Sequence, residues 1–173
     1  MTTEDRLLLG SNLKVFFDIA IKAQASSARL DKKYIKPIPG QQGRFVNNYD
    51  PRRGSFKNAL IAIVFSGVFI EALLSVVALE EPERLTKKRL TFQKFDRLTY
   101  ENKLKILGVF DENLLEDCKN LREGRNEIVH EKPSVFVKGK LVTPVEKFRV
   151  AQTEAKRAVA VVRRVIKALS KRA

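Results

Sequence analysis

The chain has 173 residues, 44% of them hydrophobic and 31% charged, which suits one globular domain with a real core and excludes a disordered chain. One cysteine, Cys118, excludes an internal disulfide framework, and one histidine, His130, excludes a multi-histidine metal centre within a single chain. The net charge of +14 is unevenly placed. Residues 1–28 and 58–146 are each neutral, while residues 29–57 carry eight basic and two acidic groups and residues 147–173 carry nine and one. If the fold brings these blocks to one face, they form a cationic surface suited to phosphate backbones, acidic lipids or an acidic protein. The opening residues, Met1 to Arg6, lack the basic region of a signal peptide, so a cytoplasmic setting is expected.

Apolar spacing is helical along most of the chain. Leu9, Leu13, Phe16, Ala20 and Ala23 make one stripe of a first helix from about Thr3 to Leu30. Residues 31–54 follow, with Pro37, Pro39, Gly40, Gly43, Pro51 and Gly54. This density of breakers predicts a long irregular basic loop, interleaved with Tyr34, Phe45 and Tyr49. Cations among aromatics suit single-stranded nucleic acid, and a surface loop packed back on the domain suits them equally.

Ser55 is placed to N-cap a second helix. From Asn58 to Leu79 that helix contains a single ionisable group, Glu71. Its length would span a bilayer. A mid-helix acid costs about 2.5–3.5 kcal/mol there, however, and amphipathic neighbours need an apolar partner, so a buried central helix is expected and no membrane. Residues 80–98 mix loop with a short helix, in which Glu80, Glu81 and Glu83 suit a solvated turn better than metal ligands. Thr99 to Leu107 forms another short helix, stopped by Gly108. Asp111 can cap a helix reaching about His130, before Pro133. Residues 134–142 suggest a small β-hairpin turning at Lys138-Gly139. Thr143, Pro144 and Glu146 open the last helix, over 144–172, with a capping box. Its buried stripe is Ala155, Val159, Val162, Ile166 and Leu169, and Arg157, Arg163, Arg164, Lys167 and Lys171 lie largely away from it. The expected fold is all-α: one domain over residues 1–173, a bundle of four to five main helices.

The helix after Asp111 carries the most informative residues. Leu114, Cys118, Leu121, Arg125 and Ile128 share one stripe, and an arginine on a core-facing stripe is costly unless paired or placed at an opening. Its natural counter-charge is Glu71. That pair could be purely structural, or it could orient a working arginine. His130, the one group that titrates near neutrality, lies five residues on, about 140° around a straight helix from Arg125. Asn126, four residues before it, shares its face. Arg125 and His130 can therefore meet if the helix end unwinds, or if two chains complete each other's sites. Cys118, on an apolar face, reads as core filling rather than as a nucleophile.

Arg125-Asn126-Glu127-Ile128-Val129-His130 resembles the R-x4-6-H signature of the HEPN (higher eukaryotes and prokaryotes nucleotide-binding) superfamily. The preceding apolar helix with its embedded Glu71, and Lys103 to Leu107 after it, resemble the upstream context of such proteins over roughly residues 56–135. The resemblance implies a dimerising bundle and, where the motif is kept, a cofactor-free, metal-independent endoribonuclease of toxin, abortive-infection or defence type. Arg125 would hold the scissile phosphate, His130 would serve the ribose 2′-OH, Asn126 would orient His130 or bond the phosphate, and Glu71 would support Arg125. Lys32, Lys33, Arg44, Arg52, Arg53, Arg163, Arg164 and Lys167 are the candidate RNA contacts. Some members pair with a nucleotidyltransferase antitoxin and carry a tyrosine two residues after the histidine. Here that position is Lys132, so control through such a tyrosine is not expected. An acidic antitoxin or regulatory protein is a further expected partner. The alternative is a non-catalytic HEPN-like module that binds nucleic acid or an acidic protein through its basic face.

Overall fold

Small side chains and an apolar run broken by one charge, Glu71, make the second long helix the piece around which the others assemble. The computed structural model describes residues 3–37, 39–40, 45–47, 52–129, 136–137, 140–141 and 144–171. Among them are four long helices, α1 (Thr3–Tyr34), α2 (Gly54–Glu80), α6 (Glu112–Val129) and α7 (Pro144–Ser170). Three short ones, α3 (Pro82–Lys87), α4 (Phe92–Asp96) and α5 (Tyr100–Ile106), fill the passage from α2 to α6. The protein is an all-α bundle. Its only described strands are two minimal antiparallel pairs, β1 (Ile35–Pro37) with β2 (Phe45–Asn47), and β3 (Phe136–Val137) with β4 (Lys140–Leu141).

α2 is long and apolar enough to cross a membrane by length and composition alone. In the fold it is the central helix, packed by α1, α7, α6 and α5. Ala59, Ala62, Ile70, Leu74 and Ala78 are buried, and they join Leu104, Leu107, Leu114, Cys118, Ala155, Val162 and Val165 in one core. Ring pairs Phe16–Phe65 and Phe17–Phe69, with Ser27 bonded to Ser55, run in opposite chain directions, so α1 lies antiparallel on α2. The opposite side of α2 is less covered. Ile61 and Leu79 are exposed, and Val64, Val68 and Ala72 between them are half-buried.

Two expectations need correction. The stretch 31–54 is not without regular structure: α1 continues to Tyr34, and β1 pairs with β2 in register Ile35–Asn47 and Pro37–Phe45. β-Branched and aromatic residues on each side of the Pro39-Gly40 turn supply the pairing that the breakers obscure. Nor does Ser55 cap α2. The cap position is Arg53, left-handed at φ 51°, and Ser55 is buried as the second residue of the helix. There its hydroxyl donates to the Ser27 carbonyl and accepts from Gln152, tying α1, α2 and α7 together.

The other boundaries follow local chemistry. Asp111 Oδ1 accepts from the Leu114 amide at 3.0 Å and so caps α6. Gly108, at φ 87°, ends the turn after α5 as only glycine does without strain. The hairpin foreseen over 134–142 is present as β3 and β4.

Candidate functional site

Arg125 lies near the C-terminal end of α6, on the stripe that contains the buried Leu114, Cys118 and Leu121. Its side chain is 24% exposed, so the guanidinium sits at the edge of the core rather than inside it. Nη1 donates twice: to Glu71 Oε2 on α2 at 2.7 Å and to the Tyr100 hydroxyl on α5 at 2.8 Å. The Tyr100 hydroxyl in turn donates to the Gly67 carbonyl on α2 at 3.0 Å. Three helices thereby fix one cation. Nε is buried without a partner, a cost that the two bonds of Nη1 offset. Nη2 has no partner among the described residues.

Gly67 makes this arrangement possible. A Cβ there would lie 2.6 Å from Arg125 Cδ and 3.3 Å from Tyr100 Oη, so the arginine stem passes over α2 only because that position has no side chain. Burial pushes the Tyr100 phenol above its ordinary range, which keeps it a proton donor to Gly67. Burial works against the charge of Arg125, yet the Tyr100 and Glu71 oxygens outweigh it and hold the guanidinium above its usual value.

One turn earlier, Arg122 pairs with Glu101 at 3.3 Å and with Glu123. Asn126, beside Arg125, is exposed on the outer face of α6. His130 and Arg44 lie outside the described residues. The Arg125–Glu71 pair expected from the sequence is present. Tyr100 and Gly67 are additions, and only the glycine, set within an apolar helical run, carried a local hint of close approach.

The remaining candidate cations fall in two places. Lys32, Lys33, Arg52 and Arg53 are exposed where α1 ends and α2 begins. The bond from Gln152 to Ser55 brings the first half of α7 to that end. Arg163 and Lys167 are exposed further along α7. Arg164 is different: it pairs with Asp117 and with Asp111 at 3.6 Å, at the acidic start of α6. It joins two helices while 41% of its side chain stays exposed. Cys118 is fully buried and its thiol is pushed up to about 12, first by burial and then by Asp117 and Glu101, which fits core filling.

Compared with known proteins, the chain matches no family model, no curated protein and no solved structure.

Proposed function

We propose that this chain is a HEPN-like endoribonuclease that cuts RNA without a metal ion, by attack of the ribose 2′-OH on the adjacent phosphorus. The observation that carries the reading is the state of Arg125: held through Nη1 by two partners, with no partner for Nη2 among the described residues and the side chain 24% exposed. A guanidinium so restrained can meet a phosphate oxygen and stabilise the charge that develops on it, without reorganising during the reaction. His130 would take the 2′-OH proton as the O2′–P bond forms and the P–O5′ bond breaks, leaving a 2′,3′-cyclic phosphate and a 5′-OH. The leaving oxygen needs an acid, and each chain has one histidine. A second copy supplies the other. The half-covered face of α2, from Ile61 to Leu79, is the surface that suits that copy, since Glu71 borders it and the Arg125 cluster would then lie at the seam. A role in toxin, abortive-infection or defence systems, in the cytoplasm and under an acidic neutralising protein, accords with this chemistry.

The purified protein should cleave RNA in EDTA. Arg125→Ala and His130→Ala should each lower the rate at least about 100-fold while melting as folded proteins. Mixing the two inactive variants should not restore cleavage, because a mixed dimer keeps one histidine where the site needs two. Cleavage that persists undiminished in His130→Ala protein would refute the mechanism.

A second reading has its own observation. Lys32, Lys33, Arg52 and Arg53 are exposed together at one end of the bundle. A module that binds nucleic acid through that end alone would show salt-sensitive binding, no products, and indifference to His130→Ala.

A further inference from the structure

Tyr100 lies 25 residues before the motif arginine in the chain, yet it is buried against it at 3% exposure. Its hydroxyl has one proton, and that proton goes to the Gly67 carbonyl, since a guanidinium cannot accept. The lone pairs are thereby turned toward Nη1 of Arg125. Glu71 is the softer of the two anchors, with 45% of its side chain exposed. With Glu71 alone, the guanidinium could pivot about a single contact. With Tyr100 as well, both Nη1 hydrogens are fixed and the direction of Nη2 is set.

We infer that Tyr100 is a positioning residue: its hydroxyl, oriented by Gly67, aims Nη2 of Arg125 at a phosphodiester oxygen. The inference rests on the ribonuclease reading of Arg125. Tyr100 acts through the arginine and transfers no proton itself.

The test is Tyr100→Phe, which keeps the ring and its packing and removes only the hydroxyl. Cooperative melting and native circular dichroism establish that the variant is folded. Steady-state cleavage of a short RNA should then show kcat reduced by about 10–100-fold with KM close to that of the unaltered protein, because aim is lost while binding through other groups is kept. The pH–rate profile should keep its midpoints. A lost limb would make Tyr100 an acid or base and overturn the positioning role. In 15N spectra of arginine side chains, the slowed Arg125 guanidinium signals of the unaltered protein should broaden or vanish in Tyr100→Phe. Unchanged kcat, or unchanged guanidinium signals, in a folded variant would overturn the inference. Absence of cleavage by the unaltered protein is a different result: it ends the ribonuclease reading, and the guanidinium spectra still decide whether Tyr100 sets Arg125.

Discussion

Replacing Gly67 with alanine probes the candidate site through one methyl group. The added carbon would sit 2.6 Å from Arg125 Cδ, whereas carbon atoms rest at about 3.5–4.0 Å. The arginine stem must therefore retreat by roughly 1 Å, starting from Nη1 bonds of 2.7 and 2.8 Å. Two terms decide stability. Alanine is better than glycine inside a helix by about 1 kcal/mol, and overfilling a packed contact costs about 1–3 kcal/mol. The net expectation is a loss of about 0–2 kcal/mol, a fall in Tm of no more than ~8 °C for a chain of this length. Activity should suffer far more, since a misplacement of ~1 Å can cost about 100-fold. Urea denaturation measures the first quantity and RNA cleavage the second. A Gly67→Ala protein stabilised by ~1 kcal/mol, with cleavage unchanged, would show that Arg125 does not lie across α2.

Variants at Lys103, Asp96 and Cys118 test the core beside the site. Lys103 is 1% exposed, 3.4 Å from Asp96 and over the Phe95 ring, an expensive place for a cation. Lys103→Met should leave stability unchanged or raise it by about 1–4 kcal/mol, whereas Asp96→Ala should lower it by roughly 1.5–3 kcal/mol. Greater loss in Lys103→Met, read by urea denaturation, would mean that the lysine does more than fill space. Cys118, with its thiol at about 12, should resist disulfide reagents at pH 8 until the protein unfolds. Because the native pKa is raised, its contribution is whole below the unfolded thiol pKa. As pH climbs from there toward about 12, stability should fall by up to ~1.4 kcal/mol per unit relative to Cys118→Ala. Parallel slopes in the two proteins would contradict this.

What the sequence made legible was periodic or solitary. The α6 stripe exposed Arg125 as its one polar member, and Glu71 stood out as the one charge within α2, so their pairing could be reasoned before any contact was seen. Tyr100 could not be found this way. A tyrosine opening a short helix breaks no pattern, and its meaning comes from Gly67 and Arg125, 33 and 25 residues away. Ser55 misled for a related reason. Its residue type suits a cap, yet Ser27 and Gln152 claim its hydroxyl, and a contact across 97 residues leaves no local trace. The β1–β2 pair was hidden by the prolines and glycines around it, although Ile35 and Phe45-Val46 carry strand chemistry.

Arg164 shows how far a helical wheel can reach. Its position on α7 points away from the buried stripe, which fits a basic outer face. Nothing in α7 alone reveals that Asp111 and Asp117 stand opposite. Acidic side chains at the start of a helix favour its macrodipole, so the first turns of α6 attract a cation from the neighbouring element. That pairing draws part of the second basic block into the fold's own electrostatics. The first turn of α2, by contrast, has no acidic residue. One turn of α2 rises 5.4 Å, so the path along α2 from Ser55 to Glu71 is about 24 Å. Under the proposed function, a strand held at the α1–α2 end would cover that path, or cross to a second copy, to bring a phosphate to Arg125.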